Sequence, residues 1–286
     1  MTSLAPALFA VLLWWASTGA VLLALRWASR APRLAGAASA AVFAGGLALV
    51  AGTAGETSAA GAYLAFTAAI AVWGVQELAF LAGWITGPWR SPAPAGTGPL
   101  RLAGYAVAAI LYHELALVAS GALVLAASWG GPNQLAFWTF AALLVMRVSA
   151  KLNVFLGVSN LAESFLPAHL AYLKSFFGAR PINLLFPVSV GLSALALAEI
   201  LIWAGEAEGE AAVAPLLLGT LVALGFLEHW LLVLPVPVER LWGWGARPAV
   251  AGPLPRLAGA AAAVAPDFEP IRATARERQP KAREAA

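Results

Sequence analysis

The sequence predicts an all-α, polytopic membrane helix bundle of about seven transmembrane helices, with a periplasmic N-terminus and a cytoplasmic C-terminus. Of the 286 residues, 61% are hydrophobic and only 11% are charged, whereas a soluble domain carries about 25% charged residues. Seven stretches are also apolar over the roughly 20 residues that a membrane-spanning helix needs. With so few charges to solvate a surface, the fold is expected to be covered largely by lipid.

The predicted spans follow one another along the chain and lie at 4–25, 35–55, 59–85, 102–128, 135–154, 184–204 and 212–234. No basic residue precedes the first stretch and no convincing cleavage site follows it, so we interpret it as a retained helix rather than a signal peptide. The absence of cysteine excludes disulfides and thiolate metal sites.

The basic residues give the predicted orientation. If the N-terminus lies outside, the cytoplasmic segments are 26–34, 86–101, 155–183 and 235–286, and all 17 Lys and Arg fall in or beside them. The opposite loops carry only acidic charges. Lys and Arg are retained in cytoplasmic loops, so membrane topology explains the net charge of +3 and no nucleic-acid partner is expected.

A cytoplasmic interfacial helix is predicted within residues 159–178. Leu170, Leu173 and Phe177 recur there at helical spacing, and Asn160 with Glu163 has the spacing of a capping box. A helix with one apolar face and one polar face typically lies in the plane of the membrane surface.

The chain divides into a predicted transmembrane domain, residues 1–245, and a C-terminal tail, residues 246–286. The tail is rich in Ala, Pro, Arg and Glu and poor in large apolar residues. That composition is typical of disorder, so we expect a disordered basic cytoplasmic tail that contacts membrane lipid.

Ionisable residues inside the spans are the candidate site. Such groups cost roughly 2.5–3.5 kcal/mol each on insertion scales and usually face the bundle interior. At 1.5 Å of rise per residue, six of them lie roughly 8–18 Å inside the predicted cytoplasmic boundary, in one layer. These candidate binding residues are Glu77, His113, Glu114, Arg147, Glu228 and His229.

Three interpretations of this layer stay open. In the first, the acids pair with Arg147, Lys151 and the histidines and fix helix packing. In the second, His113 or His229 ligates a metal, including the magnesium of a chlorin, with a glutamate as second ligand or orienting group. In the third, the Glu and His groups relay protons or act as acid–base catalysts. Arg147 and Lys151 share a helix face, and they either anchor lipid phosphate or bind an anion such as a pigment carboxylate.

Several segments carry a family resemblance. They include residues 73–87 (WGVQELAFLAGWITG), His113-Glu114-Leu115, residues 138–160 (WTFAALLVMRVSAKLNVFLGVSN) and Leu227-Glu228-His229-Trp230. Through them the chain resembles the photosynthetic complex assembly protein family, PuhE type, of purple phototrophic bacteria. The resemblance implies a bacterial inner membrane, cytoplasmic or intracytoplasmic. It also implies a role in making reaction-centre or light-harvesting complexes, with their subunits or pigment-synthesis proteins as partners.

We therefore expect an assembly factor, rather than an enzyme, that handles bacteriochlorophyll or a precursor within the membrane. His113 and His229 are the candidate chlorin-magnesium or metal ligands, and the neighbouring aromatic residues expected to wall the pigment are Trp73, Phe80, Tyr112 and Trp230. One alternative is a membrane-embedded metalloenzyme that uses a transition metal at a His/Glu site on a pigment or lipid precursor. A scaffold and a proton-coupled transporter are further alternatives.

Overall fold

A computed structural model describes residues 4–161, 166–178, 180–242 and 244. Those residues form seven α-helices that are long and apolar enough to cross a membrane, with no β-strand among them. The helices are α1 (Ala5–Arg30), α2 (Pro32–Thr53), α3 (Ala59–Leu81), α4 (Pro99–Ser128), α5 (Leu135–Leu156), α6 (Leu185–Glu206) and α7 (Val213–Leu231). The all-α prediction with seven spans is confirmed. The orientation stays a prediction, and the tail 246–286 lies outside the described residues.

Local sequence signals set several helix ends. The α2 and α4 helices begin at Pro32 and Pro99, because the first position of a helix needs no amide hydrogen bond. The side chain of Ser58 caps α3 by accepting from the Gly61 amide. The φ angle of 76° at Gly83 is the left-handed conformation that follows many helix ends. It ends α3 at Leu81, whereas the apolar run predicted a helix to residue 85.

Helices α3 and α7 form the centre of the bundle. Contacts join α1 to α3, α3 to α5, α5 to α7 and α7 back to α1, and α3 also touches α7. Successive spans alternate in direction, so these four helices run parallel. Of the seven spans, α3 and α7 have the largest buried shares and α1 has the smallest. Large core side chains such as Phe66, Leu117, Phe140 and Leu217 interlock between them.

The segment predicted as an interfacial helix has a different form. Its regular part is a 3-10 helix, Ala168–Phe176. With three residues per turn, Leu170, Leu173 and Phe176 share a face and are buried against α3 and α4. The α-helical period predicted Phe177 on that face, and this was wrong by one residue.

Asn160 does not cap a helix, which corrects a second part of that prediction. Its side-chain amide lies 2.9 Å from the carbonyl of Leu231 and 3.1 Å from that of Leu234. Its backbone amide donates to the carbonyl of Leu232. Asn160 therefore fixes the chain that follows α7, and its expected capping partner, Glu163, lies outside the described residues.

Beyond α7 the chain folds back onto α1. We call the 3-10 helix Val238–Trp242 the C-terminal strap. The Trp242 indole donates to the carbonyl of Trp15 at 3.0 Å, and the Trp15 indole donates to the carbonyl of Leu241 at 2.9 Å. Trp242 also packs edge-on against Trp14, with 5.2 Å between ring centroids. These reciprocal contacts hold the strap against the inner side of α1.

Candidate binding cavity

A cavity of about 300 Å³ lies between α1, α3, α5 and α7. Its lining is mostly apolar, with the indoles of Trp14, Trp73 and Trp242 among its walls. Ligand pockets in proteins typically measure about 300–1,000 Å³ and combine apolar walls with a few polar groups. The charged residues that line this cavity are Glu77, Arg147 and Glu228.

Glu77 and Arg147 form an ion pair in the cavity wall. Arg147 Nη2 lies 2.8 Å from Glu77 Oε2, and the two side chains are 42% and 13% exposed, respectively. Arg147 is therefore accessible, while the mostly buried carboxylate of Glu77 depends on Arg147 to compensate its charge. Two atoms of the pair, Arg147 Nε and Glu77 Oε1, are buried and find no hydrogen-bond partner among the described residues.

Glu228 joins α7 to α1 at the same cavity. Its Oε1 accepts a hydrogen bond of 3.2 Å from the indole of Trp14. The glutamate is exposed and lines the cavity, so its carboxylate is open to a bound molecule. The cavity thus has a guanidinium in one wall and carboxylates in two others.

His113 lies outside this cavity, in the interface between α3 and α4. Its ring is fully buried and stacks on Phe80 with 4.5 Å between centroids. Neither ring nitrogen has a hydrogen-bond partner among the described residues, and Nε2 is 3.9 Å from Glu77 Oε1. Its backbone amide donates to the Thr86 carbonyl. This bond places His113 at the level of the turn that follows α3. His113 is therefore closer to the end of α3 than the span predicted to end at residue 85 implied.

His229 is held in a different polar network, among α5, α6 and α7. Its Nδ1 lies 2.8 Å from the Gly225 carbonyl, and because a carbonyl can only accept, Nδ1 is assigned the proton. Its Nε2 then accepts from Ser149 Oγ at 2.9 Å. Ser149 is hydrogen-bonded to Ser189, which also accepts from Asn153. With both ring nitrogens engaged, His229 could ligate a metal only if this network opened.

Glu114 pairs with Lys151 away from the cavity. The Lys151 Nζ to Glu114 Oε1 distance is 2.5 Å, and both side chains are about one quarter exposed. Lys151 Nζ also lies 5.9 Å from the centre of the Phe80 ring. Arg147 and Lys151, for which anchoring lipid phosphate and binding a common anion were the two interpretations, are each paired with a separate glutamate.

The structure therefore divides the predicted layer. It brings Glu77, Arg147 and Glu228 together at the cavity and places His113, Glu114 and His229 behind its walls. Within the described part of the chain, no group of three or more His, Cys, Asp or Glu residues is arranged to hold a metal ion.

Of the expected aromatic walls, only Trp73 lines the cavity. Phe80 stacks on His113, while Tyr112 and Trp230 are partly exposed on the outer surface, at 49% and 36%. The cavity residues that sequence reasoning missed include Trp14 and Trp242. The usable signal was the position of Trp14 inside an apolar span, away from its ends.

Comparison with known proteins places the chain in a family. The family model described as "Protein of unknown function (DUF3623)" matches residues 1–251. The chain belongs to this family. A relative from Rhodobacter capsulatus, "Uncharacterized 30.4 kDa protein in puhA 5'region", is 39% identical to this DUF3623 protein over 243 residues, which cover 83% of this chain and 89% of the relative. No solved structure matches the chain.

Proposed function

We propose that this DUF3623 protein acts in the biogenesis of photosynthetic complexes by binding bacteriochlorophyll or a precursor in the cavity between α1, α3, α5 and α7. The observation that carries the proposal is a ligand-sized cavity inside a membrane bundle. Indoles form part of its wall, and three charged side chains line it. The name of the relative locates its gene in the 5' region of puhA, and this supports the assignment of the process. Reaction-centre or light-harvesting subunits, or pigment-synthesis proteins, are the proposed partners in the bacterial inner membrane.

The size and the lining of the cavity match part of a flat amphiphilic pigment. Indole faces offer broad apolar contact to a macrocycle, and the guanidinium of Arg147 and the indole N–H of Trp14 can donate to its peripheral oxygens. A volume of about 300 Å³ is at the lower limit of ligand pockets. The cavity would therefore enclose part of the pigment, with the rest in the lipid. The cost of placing charges in a membrane interior supports a functional reason for keeping them there.

The geometry also separates the two histidines proposed as axial ligands. Both ring nitrogens of His229 form internal hydrogen bonds, so we assign this residue a structural role. His113 has both nitrogens unpartnered among the described residues, and it is the better candidate for ligation. Its ring is fully buried, so ligation would require α3 and α4 to separate. We therefore base pigment binding on the cavity. The metalloenzyme alternative has less support, because the His and Glu residues do not converge.

A cavity-filling substitution tests the proposal. Gly74 lines the cavity, and a Cβ added there would meet Val21 at an ordinary 3.6 Å. The Cβ of Gly74→Leu therefore fits without a clash, and the rest of the leucine side chain is expected to occupy cavity space. Gly45→Leu is the matched control, since a Cβ at Gly45 meets nothing within 4 Å. A phototrophic host that lacks the gene would be complemented with each version. The readout is absorbance of the photosynthetic complexes per membrane protein.

We expect the wild type and Gly45→Leu to restore complex levels and Gly74→Leu to fail at equal abundance in the membrane. Full restoration by Gly74→Leu would remove the cavity from the proposed function.

A further inference from the structure

The charged groups around the cavity do not balance. Glu77 and Glu228 supply two carboxylates, and Arg147 is the one cation among the residues that line it. Lys151, one turn further along α5, does not compensate because it is paired with Glu114 and does not line the cavity. With both lining carboxylates ionised, the cavity has a formal charge of −1.

The cavity wall also contains a donor that lacks an acceptor. Arg147 uses Nη2 for Glu77, while its buried Nε–H has no partner in the described part of the chain. Buried polar groups in folded proteins are almost always hydrogen-bonded. The Nε atom itself is out of reach of a ligand, but the Arg147 side chain is 42% exposed. A ligand carbonyl oxygen could therefore accept from another N–H group of the guanidinium without adding charge, and aromatic walls would pack against the rest of such a ligand.

From these two observations we infer that the cavity selects an uncharged, carbonyl-bearing amphiphile and rejects the corresponding free carboxylic acid. The inference rests on the proposed function and narrows its ligand to an esterified pigment rather than a precursor with a free propionate. It replaces the sequence-based hypothesis that Arg147 and Lys151 together bind a pigment carboxylate.

The size of the discrimination follows from Coulomb's law. A ligand carboxylate would experience a net repulsion of about one unit charge, at about 8 Å and an effective dielectric constant of about 20, which corresponds to roughly 30-fold in affinity. A methyl ester avoids this repulsion and keeps a carbonyl oxygen as acceptor. The free acid and the methyl ester of a pigment without its hydrocarbon tail therefore differ in little besides charge, which is the property that the cavity is inferred to discriminate.

The test is a titration of the purified full chain in detergent with bacteriochlorophyllide a and, separately, with its methyl ester. Binding is followed by quenching of tryptophan fluorescence, because three indoles line the cavity, and by the shift of the pigment absorption. At neutral pH the ester should bind at least tenfold more tightly than the free acid.

A charge-neutralising variant sharpens the test. Glu228→Gln removes one negative charge and keeps an acceptor oxygen for the Trp14 indole, so the preference for the ester should fall several-fold. Glu199→Gln is the matched control, because Glu199 is exposed on α6 and does not line the cavity, and its preference should equal that of the wild type.

The outcomes separate the inference from the proposed function. If both ligands bind the wild type and the acid binds as tightly as the ester, the inference is overturned while pigment binding stands. An ester preference that is unchanged in folded Glu228→Gln would likewise overturn the assignment to cavity charge. If the folded wild type binds neither ligand, the proposed function fails, and the inference fails with it.

Discussion

Replacing Arg147 with methionine tests the ion pair in the cavity wall. The substitution leaves Glu77, only 13% exposed, without the guanidinium that lies 2.8 Å from its Oε2. Two unit charges about 4 Å apart attract by about 4 kcal/mol at an effective dielectric constant of about 20. Because Arg147 is 42% exposed, screening reduces that value. We expect the free energy of unfolding to fall by about 2–3 kcal/mol, somewhat less than for a fully buried pair.

The assay is reversible unfolding in mixed detergent micelles, followed by circular dichroism. Glu77→Gln leaves Arg147, the more accessible partner, unpaired, so the loss of unfolding free energy should be smaller, about 1 kcal/mol. The double variant should lose about as much as Glu77→Gln alone, which corresponds to a coupling free energy of about 2–3 kcal/mol. Two results would refute the reasoning: a loss below about 0.5 kcal/mol for Arg147→Met, or strictly additive effects of the two substitutions.

Four other substitutions address the packing around the site. His229→Ala should lower the free energy of unfolding by about 2–4 kcal/mol, measured in the same assay, because it leaves a void and unpaired polar groups. Gly87→Ala should lower the Tm strongly, because its Cβ would lie 2.0 Å from a backbone oxygen of α4. Gly104→Ala, whose Cβ meets open space, should leave the Tm unchanged. Trp242→Ala should speed maleimide labelling of a cysteine placed at Ser17 several-fold, since Ser17 lines the cavity and the chain has no native cysteine.

Each of these expectations has a contrary result. Equal Tm values for the two glycine variants would contradict the close approach of the α3–α4 loop to α4. Unchanged labelling would contradict the position of Trp242 in the cavity wall. A His229→Ala protein as stable as the wild type would remove the structural role assigned to that histidine.

The fold was predictable because a helix that crosses a membrane needs a long apolar stretch, and such stretches can be read directly from the sequence. Seven apolar runs of span length predict seven helices, and all seven form in the described residues. The helix ends were less predictable, because they depend on local geometry. The segment 26–34 was expected to be a loop, yet α1 continues to Arg30 and α2 starts at Pro32. Only Ala31 separates the two helices.

The candidate site was only partly predictable, because sequence gives the depth of a side chain but not the neighbour it faces. Adjacent residues on a helix point about 100° apart. Glu228 therefore faces the cavity while His229 faces α5 and α6. The same offset separates His113, behind α3, from Glu114, which pairs with Lys151.

The 3-10 helix shows a different limit of sequence reasoning. Leu170 and Leu173 fit both an α-helical and a 3-10 period, and only the third apolar contact distinguishes them. The packing against α3 and α4 selects Phe176, because three residues per turn bring it onto the face of the two leucines. No local propensity in the segment specifies that choice, which is made by tertiary contact.

The most direct test of the central claim is the absorption spectrum of the protein purified in mild detergent from a pigment-producing host. The wild type and Gly45→Leu should carry a bacteriochlorin band at near-stoichiometric occupancy, and Gly74→Leu should lack it. A colourless wild-type protein, or an equal band in Gly74→Leu, would contradict pigment binding in the cavity between α1, α3, α5 and α7.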